Sequence, residues 1–174
     1  MKWLLTFLAL LAGTFSLQTA AELPTAVKDL QIPQAHQPQD NLLTSGQITR
    51  EQMSALRGMG YTTFISLRPA TEQGAGWEEV FAGAEGIHFT RIPIAGTEDL
   101  TPEKAALLGK EMGPAGARKV VLYCASGNRV GALLAVKAHA QDGLSAERAL
   151  QLGLDAGLTR LEPAVRTLLG LPPK

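Results

Sequence analysis

Apolar and polar positions along the chain fall into short β-type runs alternating with longer helix-type stretches. Asn41 to Gln47 reads as a short first strand and turn. Thr49 and Gln52 then match a capping box, opening a helix through about Arg57 with Met53 and Leu56 on one face. Thr62 to Leu67 is β-branched and apolar, the pattern of a second strand, and ends at Arg68-Pro69. Residues 70–76 form a loop; Trp77 to Ala84 predicts a short helix and Ile87 to Ile94 a third strand. Thr101 followed by Pro102 marks the start of a helix that runs to about Met112. Gly113 to Gly116 turns the chain into Val120-Val121-Leu122-Tyr123, a buried-strand run. Val130 to Gln141 is rich in helix formers, Ser145 caps a helix through Leu154 that Gly157 closes, and a short helix spans Pro163 to Leu169.

This alternation predicts an α/β fold, a small, mainly parallel sheet of about four strands flanked by helices on both faces. In such sheets ligands bind at the carboxyl ends of the strands. The single cysteine, Cys124, falls at one of those ends. There is no internal repeat.

The first forty residues follow a different pattern. Lys2 precedes the apolar run Trp3 to Ala12, and small residues follow up to Ala21. These are the parts of a secretory signal peptide over 1–21, with an apolar core too short for a comfortable membrane span. The protein is therefore expected to be periplasmic or secreted, with no stable membrane span after cleavage. Residues 22–40 contain Pro24, Pro33 and Pro38 and read as an extended lead-in, partly ordered, with His36 as a solvated loop residue. Residues 41–174 form a single domain.

Charge narrows the choice of partners. The chain carries 16 basic and 16 acidic side chains and no Lys/Arg run, which argues against a nucleic-acid partner. Its 3 histidines are not spaced with cysteine or carboxylate as a metal site needs, so neither metal nor cofactor is expected. A lone cysteine cannot form an internal disulfide, and in an oxidising compartment it is a free thiol of interest.

The candidate chemistry is concentrated in Cys124-Ala125-Ser126-Gly127-Asn128-Arg129. A strand leads into small residues and then into a helix N-terminus, where backbone N–H groups, the helix dipole and a guanidinium together make an anion cradle. The same field favours the thiolate, the nucleophilic form of cysteine. The plainer alternative makes Cys124 a small core hydrophobe and Gly127-Asn128 an ordinary turn.

The Cys-x4-Arg spacing resembles the active-site loop of cysteine phosphatases and rhodaneses. Residues 41 to 160 resemble, in several stretches, the beta-lactamase-hydrolase-like, dual-specificity-type phosphatase family. The matching pieces are Ser45-Gly46-Gln47, Ile65 to Pro69 with Glu72, Ile92-Pro93-Ile94, the Cys124–Arg129 loop, Gly143 to Leu150, and Asp155 to Leu158. That resemblance implies a cysteine-phosphatase-like fold and hydrolysis of a phosphorylated substrate of unspecified class. Cys124 would be the nucleophile, and Arg129 with Ala125, Ser126, Gly127 and Asn128 would bind the phosphoryl group. It also implies a general acid in the loop after the third strand, with Asp99 preferred to Glu98; the alternative makes Asp99 a solvated residue favouring the next helix N-terminus. Arg68, with Glu72, either lines the crevice or forms a surface ion pair of little worth. Asn128 is expected to orient the loop through side-chain-to-backbone bonds.

Tyr123 and Val130 stand where tyrosine phosphatases usually carry His and Ser or Thr. Without that hydroxyl, slow turnover is expected. Two other functions fit the loop: a rhodanese-like sulfurtransferase carrying a Cys124 persulfide, and a non-enzymatic oxyanion-binding module. The flanks differ from a rhodanese, since the strand ends Ser66-Leu67-Arg68 rather than Asp-Val-Arg and no Gly-Gly follows Gln141.

Overall fold

The computed structural model describes residues 22–114 and 116–174, so the signal peptide expected over 1–21 lies outside the described residues. Its strands are β1 (His36–Gln39), β2 (Leu42–Ser45), β3 (Tyr61–Ser66), β4 (His88–Arg91) and β5 (Lys119–Tyr123). They form one sheet in the order β1-β2-β5-β3-β4. β1 and β2 pair antiparallel, and the other pairs are parallel. The helices are α1 (Thr25–Lys28), α2 (Arg50–Gly58), α3 (Glu78–Glu85), α4 (Pro102–Met112), α5 (Asn128–Ala140), α6 (Ala146–Asp155) and α7 (Glu162–Leu168).

β5 lies in the middle of the sheet, which explains its unbroken apolar run: a strand covered on both faces has no solvent side to mark with polar residues. Val121 and Tyr123 enter one core with Val27, Met53, Leu56 and Ala82 from α1, α2 and α3. Val120, Leu122 and Cys124 enter the opposite core with residues of α4, α5, α6 and α7. The thiol thus belongs to the face covered by α5.

Local signals set the helix starts as expected. The Thr49 hydroxyl accepts from Gln52 N at 3.2 Å while Thr49 N donates to Gln52 Oε1 at 2.9 Å, closing the capping box of α2. Thr101 and Ser145 cap α4 and α6 through their hydroxyls. α5 begins at Asn128, earlier than the run of helix formers alone indicates, so Arg129 lies in its first turn.

The sheet has five strands rather than about four, and the extra one comes from the lead-in. Residues 22–40 are not simply extended: they carry α1 and β1, and Val27 and Ile32 are buried against the α2 side of the sheet. Proline disfavours helix interiors and central strands but is tolerated on an edge strand, and β1, with Pro38, is an edge. His36 is correspondingly a half-buried residue of β1 rather than a solvated loop residue. Among the described residues, no helix is long and apolar enough to cross a membrane.

Candidate active site

Cys124 leaves the carboxyl end of β5 with its N–H bonded to Ser45 O at 3.2 Å and its side chain buried, 1% exposed. The loop that follows is fastened on one side to the end of β2: Gln47 N donates to Ala125 O at 3.3 Å, and Gly46 and Ser126 form a bridge. Gly127 then turns the chain into α5 with φ +78°, a left-handed conformation that a side chain would strain. Among the described residues, no backbone hydrogen bond is donated by the N–H groups of Ala125, Ser126, Asn128 or Arg129. Unpaired amides at the start of a 13-residue helix are an anion-binding arrangement.

The Asn128 side chain is buried and turns away from the loop amides. Its Oδ1 accepts from Thr159 N (2.9 Å), Thr159 Oγ1 (3.2 Å) and Leu161 N (3.2 Å). It therefore orients the loop by anchoring it to the α6–α7 connection.

Arg129 is held by three hydrogen bonds that it donates. Nη1 donates to Glu72 Oε1 (2.5 Å) and Ile94 O (2.7 Å), and Nη2 donates to Glu72 Oε2 (2.9 Å). A guanidinium has five N–H groups in a fixed plane, so Nε–H and the second Nη2–H remain as a side-on fork for two oxygens. Glu72 is the main cause of the rise in the Arg129 pKa, and the Cys124 sulfur adds to it. Sulfur and guanidinium thus share one site.

Glu72 also takes Arg68, whose Nε donates to Oε2 at 2.8 Å. Hydrogen bonds from Arg129, with Arg68 adding to them, bring the Glu72 carboxyl down to about 2. Arg68 is only 7% exposed, and its other donors reach Gln47 Oε1 (2.7 Å) and Gln73 O (2.5 Å). It is not a surface ion pair. It is a buried partner of Glu72.

Asp99 ends a short 3-10 turn, Thr97–Asp99, after β4. Its Oδ1 is ion-paired with Lys104, whose Nζ also donates to Pro93 O at 2.6 Å, and its Oδ2 accepts from Ala95 N at 2.7 Å. Lys104 first, then the Ala95 amide, hold the carboxyl below its usual range. Ile94 C=O and Ala95 N–H belong to the same peptide group, so Arg129 bonds one side of that unit and Asp99 the other. Glu98 is exposed and folds back over Gly96.

Sequence reasoning missed the supporting charges. Glu78 is fully buried, and its carboxylate accepts from Gly76 N (2.8 Å), Arg91 Nη2 (2.9 Å) and Gln47 Nε2 (3.2 Å). Arg91 also brackets Glu79 with two bonds, at 2.5 and 2.8 Å. In sequence, Trp77-Glu78-Glu79 shows only acidic residues at a helix start, which usually face water. Among the described residues the buried Tyr123 hydroxyl meets no hydrogen-bonding partner, and burial, with Glu78 nearby, pushes it well above the usual range for tyrosine. Val130 is buried in the apolar core.

No protein-family model and no curated protein matches the sequence. Solved structures do match in fold. A Shewanella putrefaciens CN-32 protein of the DUF442 group superposes with a TM-score of 0.63 at 20% identity, over 83% of this chain and 94% of its own. Tk-PTP in its active form gives 0.59 at 18% identity, over 79% and 96% of the two chains. A cysteine-to-serine variant of TpbA from P. aeruginosa, in complex with phosphotyrosine, gives 0.57 at 14% identity, over 90% and 96%. With Cys124 at the carboxyl end of the middle strand of a mostly parallel sheet, the chain shares the fold of these cysteine phosphatases.

Proposed function

We propose that the protein is an exported, cysteine-dependent phosphatase that hydrolyses a phosphate monoester through a covalent intermediate on Cys124. The observation that carries this reading is the setting of Arg129 at the end of the Cys124 loop: Glu72 and Ile94 O hold one side of the guanidinium and leave Nε–H and one Nη2–H for two oxygens. The fold of the neighbours supports it, and the phosphotyrosine bound by TpbA is of the same substrate class.

In the first step the Cys124 thiolate attacks phosphorus. An S–P bond forms as the P–O bond to the leaving group breaks, and the leaving oxygen takes a proton from Asp99, which gives it from its minor protonated form because Lys104 and the Ala95 amide favour the carboxylate. The loop amides and Arg129 carry the charge on the phosphoryl oxygens. In the second step a water gives a proton to Asp99 and attacks phosphorus, the S–P bond breaks, and phosphate and thiolate are released. Val130 offers no hydroxyl to the departing sulfur, so the second step is the slow one.

The test is release of p-nitrophenol from p-nitrophenyl phosphate by the reduced mature protein, from mildly acidic to neutral pH. The wild type is expected to turn over, and Cys124→Ser is expected to lose turnover while still binding phosphate. A wild type that leaves the ester intact, whether or not it transfers sulfur from thiosulfate, overturns the reading. Export is tested separately by the N-terminus of the protein recovered from cells: cleavage after Ala21 is expected, and an uncut chain overturns it.

A further inference from the structure

Six charged side chains of alternating sign run away from the cysteine loop: Arg129, Glu72 and Arg68, then Glu78, Arg91 and Glu79. One uncharged side chain joins the two halves. Gln47 Oε1 accepts from Arg68 Nη1 at 2.7 Å, and Gln47 Nε2 donates to Glu78 Oε1 at 3.2 Å and to Ile48 O at 3.0 Å. The amide dipole is therefore aligned, with its carbonyl on the cation and its NH2 on the anion. We infer that Gln47 and the buried Glu78 are positioning residues that fix the guanidinium of Arg68, and through Glu72 the free edge of Arg129.

Three observations give this its force. Glu78 is fully buried, and a buried carboxylate is tolerated only when donors saturate it; Gln47 supplies one of its three. Arg91 Nη1 already fixes the main chain of Arg68 by donating to its carbonyl at 2.7 Å, so what Gln47 adds is the direction of the side-chain end. Glu72 Oε2 is shared by Arg68 and Arg129, so a displaced Arg68 pulls on the carboxylate that grips the loop arginine. Where the inference concerns turnover, it rests on the phosphatase reading above.

Gln47→Glu is the informative variant. The charged groups facing position 47 are Arg68, from the segment after β3, and Glu78, from α3; Glu72, Arg91 and Glu79 lie one contact further. Protonated, the introduced carboxyl reproduces the amide, with O–H toward Glu78 and C=O toward Arg68. Ionised, it keeps the acceptor for Arg68 and sets two carboxylates against each other, so Arg68 lowers its titration from the usual ~4.3 while Glu78 raises it. Loss of one charge-assisted hydrogen bond corresponds to about a tenfold effect. On p-nitrophenyl phosphate, Gln47→Glu is expected to lower kcat about tenfold at neutral pH with KM little changed. The deficit should close as pH falls through the new titration, whereas that of Gln47→Met should stay constant with pH. A Gln47→Glu deficit independent of pH, or no deficit, overturns the inference. Arg68 and Arg129 Nε–H resonances, recorded without substrate, separate this from the phosphatase reading. If the wild type shows no turnover, only that reading falls; positioning is then judged by whether Gln47→Glu moves the Arg129 Nε–H resonance with the same pH dependence, and an unmoved resonance overturns it.

Discussion

Glu72 grips Arg129 with both carboxylate oxygens, at 2.5 and 2.9 Å, and takes Arg68 on the second of them at 2.8 Å. Arginine is flexible, and an arginine that must meet an anion edge-on loses affinity with every rotamer it explores. Here that freedom is removed in advance by a residue from the loop after β3, 57 positions earlier in the chain. The same carboxylate prevents two guanidinium groups from repelling each other at the crevice. Preorganisation and charge balance thus come from one side chain.

This carboxylate gives the fold a pH signature. Glu72 is brought from 4.5 to about 2, a depressed value, so its stabilisation is fully present above 4.5 and is lost as pH falls toward 2. At neutral pH the shift corresponds to about 3 kcal/mol at most, and partial access to solvent reduces it. Urea denaturation of wild type and Glu72→Gln should therefore show a gap that is largest above pH 5 and narrows steadily toward pH 2. A gap of constant size over that range would mean that the two arginines do not hold Glu72 ionised.

The elements were legible because their causes are local. The Thr49–Gln52 capping box, Thr101-Pro102 and the apolar run into Cys124 each state a backbone requirement within a few residues. The places of Cys124, Gly127 and Arg129 at a strand end, a turn and a helix start were legible for the same reason. What the site needs beyond them is not local. Arg68 and Glu72 are a visible i,i+4 pair, but the burial of Arg68 and the third partner, Arg129, depend on how β3 and β5 lie side by side. Gln47 with Glu78, and Asn128 with Thr159, join residues about 30 positions apart that carry no shared pattern. The prolines of the lead-in misled for a related reason: they report local helix breaking and say nothing about a place at the sheet edge.

Asp99 and Lys104 predict a movable limb in the pH–rate profile. Lys104 is the largest cause of the low Asp99 value, and a general acid works only while it holds its proton. Replacing Lys104 with Met removes that cause and raises the Asp99 value. The falling, alkaline limb of kcat/KM should then move to higher pH, while Asp99→Asn should abolish it. An unmoved limb in Lys104→Met would assign the acid role elsewhere.

Asn128 predicts a stability effect without a charge. Its Oδ1 is the acceptor for Thr159 N, Thr159 Oγ1 and Leu161 N, and the residue is 7% exposed. Asn128→Ala strands these donors, which corresponds to about 1–3 kcal/mol. Asn128→Asp keeps the acceptor and should retain most of the stability. Equal losses in the two variants, measured by chemical denaturation, would contradict the anchoring role.

The helix behind the loop predicts that two glycines respond in opposite ways to the same substitution. A Cβ on Gly131 would overlap Gly153 O and Leu158 N and lie 2.8 Å from Leu158 Cα, all backbone atoms that no rotamer change can move. Gly131→Ala must therefore push α5 off α6 and the turn that follows it, straining the Asn128 anchor on the same interface. A loss of about 2–4 kcal/mol is expected, in the range for overpacked cores and broken polar networks. Gly58, at the end of α2, has nothing within 4 Å of such a Cβ. Gly58→Ala should gain about 0.5–1 kcal/mol from helix propensity. Thermal denaturation of the two variants side by side isolates the packing term, because backbone entropy favours alanine in both. A Gly131→Ala protein as stable as Gly58→Ala would show that α5 and α6 can separate freely, and that the start of α5, where Arg129 and the loop amides lie, is less firmly held than the close approach of Gly131 and Gly153 requires.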